Sequence, residues 1–374
     1  MAVNPFRYSG PVGAEDLIDR DGEAAQLLAT AWEGNNSRVV APRRFGKTSL
    51  LRRVMREAHD EGWEAVYVDF FGVVTLADVA ERIERAYATA LQGPAARWFD
   101  GARRVLRPTL RATAPGLPVA SELHLEPAST PLLDRLALPR KVYDKLGKRV
   151  LVVFDEFQGV LTAEANADAL IRSEIQHHGD AASYIFAGSQ VGMMEALFAD
   201  RRRAFYAQAR PVELPLLPPA ETAAFITGRF ATTDRDVGDA LGPLLDHAGG
   251  HPQRTMLLAH ALWDATPAGG RAGDGTIASA VDLVMSELLG EFSVVWSNLP
   301  GGQRRLLALV ADDVDRPYSR SSSVGGSKGS AVRSSLGALV ERGEIVRDAA
   351  RHSGYRVVDP FLASWVRAGR PSGS

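Results

Sequence analysis

The sequence predicts an α/β protein of three layers, αβα, with a parallel sheet between helices, and three observations carry that expectation. Short β-branched runs alternate with amphipathic helical stretches over the first two-thirds of the chain. The run Arg149-Val150-Leu151-Val152-Val153-Phe154 is apolar without alternation, as in a strand buried on both faces. A loop carrying Gly46-Lys47-Thr48 stands between an expected strand and an expected helix.

In chain order, residues 37–41 read as the first strand and 48–59 as the helix after it. Residues 65–69 form the second strand and 76–91 the next helix. The third strand is 149–154 and the fourth 184–188. Arg103, Arg104, Arg107 and Arg111 cluster at helical spacing around Leu106 and Leu110, the pattern of a solvated amphipathic helix. Residues 115–139 carry several prolines between short apolar pieces and read as an insertion or hairpin.

After Leu216 the pattern turns helical, with helices expected at 221–230, 234–248, 252–263 and 277–296. From Gly302 a helix leads to residues 319–330, rich in Ser and Gly as flexible loops are. A helix over 331–342 follows, with Gly343 at its C-terminal cap, then short strands at 344–347 and 354–358. Helix, turn, helix and hairpin is the order of a winged helix. The expected division is a core over 1–216, a helical lid over 217–297 and a winged helix over 298–374.

Composition bounds the function. A length of 374 residues suits two or three domains. The 45% apolar and 24% charged shares are those of a soluble globular chain. There is no cysteine, which excludes disulfides, thiolate zinc sites and cysteine nucleophiles and fits a reducing cytoplasm. The first residues lack the apolar core of a signal peptide, and no apolar run approaches the roughly 18 residues of a spanning helix. A cytoplasmic protein without membrane contact is the expectation. The net charge is −2, yet from Pro300 onward 12 Arg plus Lys face 7 Asp plus Glu. A basic tail permits DNA contact without requiring it.

Ala41-Pro42-Arg43-Arg44-Phe45-Gly46-Lys47-Thr48 keeps the Walker A spacing, with Ala41 where the pattern has its first glycine. Ala41 suits that place if its backbone holds a negative φ. Loop and helix-start N–H groups point at a phosphate, and Gly46 permits close backbone approach. Lys47 sets a cation beside the β- and γ-phosphates, and the Thr48 hydroxyl is a magnesium ligand. An incidental surface loop is the bland alternative. Asp155-Glu156 ends the third strand at the carboxyl edge of the sheet, where open α/β folds bind ligands. Asp155 would hold Mg2+ through its waters and Glu156 would orient the attacking water; two solvated capping acids are the alternative. His177-His178 points two rings about 100° apart on a helix, and so is not read as a metal site.

With both elements in hand, 42–50 and Phe154-Asp155-Glu156-Phe157-Gln158 resemble the archaeal ATPase family. This is an AAA-like P-loop family, also bacterial, near the STAND signalling and origin-recognition ATPases. Residues 172–176, Phe186-Ala187-Gly188-Ser189, Gly249-Gly250-His251-Pro252-Gln253-Arg254 and 359–365 extend the resemblance in order, most weakly over 102–138.

The resemblance implies ATP and Mg2+ as ligands, with Pro42, Arg43, Arg44, Phe45, Gly46, Lys47, Thr48 and Ser49 around the phosphates and Ile18 over the adenine. It implies Ser189 at a sensor position, where the family more often has Asn or Thr. Arg254 would be a second sensor reaching back to the phosphates; the alternative is that Pro252 merely starts a helix and Arg254 is solvated. Arg172, Arg201–203 and Arg210 are candidates for an arginine supplied across an oligomer interface. The leading function is a regulatory ATPase switch whose winged helix serves an intramolecular or protein-partner role. An initiator-like ATPase binding DNA through the winged helix is the second reading, and a nucleotide-binding scaffold without turnover the third.

Overall fold

The computed structural model describes residues 3–10, 12–13, 16–93, 96–100, 129–314 and 329–369. Five parallel strands form its central sheet: β1 (Ser37–Val40), β2 (Glu64–Asp69), β3 (Val150–Asp155), β4 (Ala182–Gly188) and β5 (Arg210–Glu213). Their spatial order is β2-β3-β4-β1-β5. The four expected strands are there. β5 is the addition, an edge strand in which Val212 alone is buried and Pro211 needs no ladder donor.

Alternation along each strand sends successive side chains to opposite faces. Val150, Val152 and Phe154 enter one apolar cluster with Val66, Val68, Tyr184 and Phe186. Leu151, Val153, Val39, Ile185 and Ala187 enter another, roofed by α1 (Asp21–Trp32) and α2 (Lys47–Asp60). α2 buries Leu50, Val54 and Ala58 at i, i+4 and i+8 with Leu51 beside them, which is why it lies along the sheet. On the opposite layer, α3 (Leu76–Ala90) begins at a capping box in which Thr75 and Asp78 satisfy each other's backbone N–H.

Residues 115–128 lie outside the described part of the chain. From Ser129 the stretch expected as an insertion or hairpin holds two short helices, α4 (Ser129–Leu136) and α5 (Leu138–Leu146), with Pro139 in the first turn of the second. The arginines at 103–111 and the segment 315–328 also lie outside the described residues.

The second half is helical: α6 (Pro219–Ala231), α7 (Leu241–Ala248), α8 (Pro252–Ala265) and α9 (Asp274–Asn298). The helix expected over 234–248 starts late. Asp234 holds φ 54°, and the Asp236 N–H donates to the Gly270 carbonyl, so this stretch pairs with another loop rather than coiling. Next come α10 (Gly301–Ala311), α11 (Gly329–Glu341), the antiparallel pair β6 (Ile345–Arg347) and β7 (Tyr355–Val357), and α12 (Pro360–Arg367). Ile226, Leu258, Val284, Phe292, Leu307, Leu339 and Trp365 share one apolar cluster, so the helical stretch and the C-terminal segment have a common core. Val358 joins the α2-side cluster of the sheet instead, which ties the hairpin to the first half.

Candidate functional site

The loop from β1 into α2 has the backbone that the motif requires. Arg44 holds φ 68° and Gly46 φ 82°, both left-handed. A Cβ on Gly46 would meet nothing within 4 Å, so the demand for glycine comes from its φ rather than from crowding. Ala41 is not among the described positive-φ residues, so the condition set for an alanine there is met. Its carbonyl accepts from Lys47 Nζ at 3.2 Å. Lys47 is buried, and burial lowers its pKa, while Glu156 and then Asp155 act in the opposite direction. The loop meets the end of β3 at Thr48, whose hydroxyl is 3.5 Å from Asp155 Oδ2.

Asp155 lies 4% exposed at the end of β3. Its parity places it on the face of Leu151 and Val153, toward α2. The Thr48 hydroxyl is 3.5 Å from its Oδ2. Oδ1 accepts the backbone N–H of Glu156 at 2.9 Å, and Oδ2 accepts the Tyr67 hydroxyl at 2.6 Å. Burial first, then the Asp155 charge, raises the Tyr67 phenol well above its usual value, so it stays a donor. Sequence reasoning does not single out Tyr67. Parity along β2 and the register Tyr67↔Val153 identify it, but that register exists only once the strands are paired.

Glu156 takes φ 48° and turns its side chain toward β4. Its Oε2 accepts from Ser189 Oγ at 2.7 Å and from Gln158 Nε2. These donors and Lys47 hold the Glu156 pKa below its ordinary value against burial. Ser189 thus stands at the acid pair.

A cavity of about 320 Å³ opens over the loop. Arg44, Phe45, Gly46, Lys47, Thr48 and Ser49 line one end of it. Ile18, Leu217, Pro252 and Met256 add apolar lining, and Asp16, Arg20 and Gln253 add polar lining. Arg20 is another group that sequence reasoning misses: fully buried, it donates to Glu23 and to the Pro215 carbonyl, joining the N-terminal segment to the chain before α6. Thr48, Asp155 and Lys47 form a donor set of hard oxygens beside a cation, which fits magnesium and phosphate.

Pro252 starts α8 in its first turn, as expected, but Arg254 is not solvated. It is 2% exposed and does not line the cavity. A buried guanidinium needs a carboxylate, and the nearest is Asp359, at the N-cap of α12, which accepts from its Nε at 2.8 Å and also from its Nη2. Glu291 of α9 lies 3.7 Å away and binds Arg44 of the phosphate loop at 2.8 Å. His251, whose Nδ1 accepts the Arg254 N–H, packs edge to face with Phe45, ring centroids 4.9 Å apart. Of the arginine candidates, Arg172 binds Gln208, Arg202 binds Asp200 and Arg203 approaches Asp168 at 3.5 Å.

No protein-family model matches this chain, and no curated protein does. Solved structures do match. The Walker-type ATPase PABY2304 of Pyrococcus abyssi superposes with TM-score 0.70 over 97% of this chain and 99% of that chain, at 17% identity. The ORC2 protein of Aeropyrum pernix, in ADPNP–ADP complexes, superposes with TM-score 0.55 over 94% and 92%, at 18% identity. The ADP form of that ORC2 protein gives TM-score 0.55 over 98% of both chains, at 16% identity. This chain shares the fold of these solved structures over nearly its whole length.

Proposed function

We propose that the chain binds ATP with Mg2+, hydrolyses it slowly, and acts as a nucleotide-dependent regulatory switch. One observation carries the reading: Lys47 and Thr48 line a cavity of about 320 Å³, and the Thr48 hydroxyl reaches to 3.5 Å from Asp155 Oδ2. An ATP-sized ligand suits that volume.

In this reading the N–H groups at the start of α2 and the Lys47 ammonium bind the β- and γ-phosphates. Ile18 lies against the base. Thr48 and Asp155 would hold Mg2+, which neutralises charge on the phosphates when bound. Glu156 accepts a proton from, and orients, the attacking water. Ser189 and Gln158 hold that carboxylate on the β4 side, so it must turn to reach a water in the cavity. Slow turnover is consistent with that restraint.

The switch reading is supported by the ionic chain Arg44–Glu291–Arg254–Asp359. It runs from the phosphate loop through α9 and α8 to α12, the element after the hairpin. A γ-phosphate at the loop draws Arg44 from Glu291, which then competes with Asp359 for Arg254 and loosens the hold of Arg254 on α12, a ligand-biased two-state change. The proposed parts are a core over 1–216, a lid over 217–297 and a winged helix over 298–374.

Intramolecular or protein-partner use of the winged helix is favoured over duplex binding. Arg356 lies 3.3 Å from Asp348 and Arg351 3.8 Å from Asp313, so hairpin arginines face acids of the same chain. The deciding measurement is phosphate release by the native chain and by Glu156→Gln. Equal rates remove the catalytic assignment. Duplex affinity that falls steeply with salt would move the reading to the DNA-binding alternative.

A further inference from the structure

The catalytic reading above makes no use of the Tyr67 phenol, although it touches the acid that would hold the metal. Asp155 is bonded at both oxygens. The Glu156 N–H holds Oδ1 at 2.9 Å, and the Tyr67 hydroxyl holds Oδ2 at 2.6 Å. The Thr48 hydroxyl approaches that same Oδ2 at 3.5 Å. A carboxylate turns easily about its terminal torsion, and one N–H bond fixes only one end of it. The short O–H···O⁻ bond fixes the other. Each carboxylate oxygen has two acceptor positions. The phenol fills one on Oδ2 with a short bond, and the Thr48 hydroxyl reaches the same oxygen only at 3.5 Å.

We propose that Tyr67 is a positioning residue for magnesium, locking the Asp155 carboxylate so that Oδ2 stays turned toward Thr48. Tyr67 touches neither the nucleotide nor the metal. It acts through Asp155, as outer partners of metal ligands do, and removing such partners costs roughly 10- to 100-fold in metal affinity. Its placement follows from the sheet. Tyr67 stands opposite Val153 on the neighbouring strand, on the same face as Asp155, and is half-buried against the α2 layer.

The inference rests on the reading of the cavity as a magnesium–nucleotide site, and the test separates the two. ADP binding is titrated in EDTA and at graded Mg2+, in the native chain and in Tyr67→Phe. The expected result is an ADP affinity in EDTA that is unchanged within about twofold, and a half-saturating Mg2+ concentration raised about tenfold. An unchanged Mg2+ requirement overturns the role of Tyr67, as does equal weakening with and without metal, which marks a merely structural bond. A lowered requirement also overturns it, because the phenol would then compete with the metal's waters. Failure of the native chain to bind ADP under either condition sinks the nucleotide reading itself.

If Tyr67→Phe does not fold, the native chain supplies a second readout. Tyrosine carrying 13C at Cζ, placed at position 67, should shift when Mg2+ is added to the ADP complex and not when ADP alone is added. A signal indifferent to Mg2+ overturns the proposal.

Discussion

The rim of the sheet and the junction between α8 and α12 handle buried charge by opposite means. At the rim, Lys47, Asp155 and Glu156 influence one another but are held by neutral groups: the Ala41 carbonyl, the Tyr67 and Ser189 hydroxyls and the Gln158 amide. At the junction, Arg254 closes directly on Asp359. Neutral holding leaves ionic capacity for a ligand to use. Direct pairing uses it up within the protein and makes a joint. The same difference separates a site from a seam elsewhere in the molecule, as in the Arg135–Glu84 pair that ties α4 to α3.

Substitutions break or sharpen this contrast. Glu156→Gln should lower phosphate release by on the order of 10²- to 10⁴-fold, the range for a lost general base, in a steady-state phosphate assay. Removing a group at the junction should act on stability instead. Asp359→Ala leaves Arg254 charged and buried, at a cost of about 3–5 kcal/mol. Urea unfolding followed by the fluorescence of Trp365 and Trp296, which pack edge to face in the C-terminal half, measures it. A loss under about 1 kcal/mol would show the joint to be loose.

Lys47→Ala should weaken ATP binding about 100-fold, the scale of charge-assisted hydrogen bonds, with the melting curve preserved. Unfolding of this variant would make the rim a joint as well.

The pH dependence sharpens the contrast further. Burial depresses His251, beside the junction, to about 4. The unfolded chain takes up that proton near its ordinary value of 6.5, so the stabilisation from neutral His251 is complete above 6.5 and is lost as pH falls toward 4. Glu344 has the opposite sign. Burial raises it to about 7, so its contribution is complete below its ordinary 4.5 and is lost as pH rises through 7. Glu344→Gln should remove the alkaline limb of an unfolding free-energy profile and leave the acid limb in place. The smallest effect is expected at Glu291→Gln. Its pair with Arg44 is about half exposed, 48% and 43%, so stability should change by under about 1 kcal/mol. Its measurable consequence is on coupling: protease protection of the C-terminal segment should no longer respond to ATP.

Legibility scales with the distance over which each group is placed. Lys47 and Thr48 are set by their own loop, and Asp155 and Glu156 by the end of their own strand, so local pattern is enough to name them. β5 escapes sequence reasoning because an exposed four-residue edge with a proline has almost no apolar signature. Arg254 is legible as a residue of interest but not in its place, since its partner lies 105 residues away. Tyr67 has no sequence signal at all, because its partner Asp155 lies 88 residues on and on another strand.

By itself the sequence determined the three-layer core, the phosphate loop and the acid pair at the strand end, because hydrophobic period and loop geometry act within a few residues. Tertiary structure alone decided that Asp155 faces Tyr67 and Thr48, that Glu156 is drawn to Ser189, and that Arg254 closes on Asp359 away from the cavity. Buried charges and hydroxyls take whatever partner packing brings within about 3 Å, and packing between distant segments has no local signature.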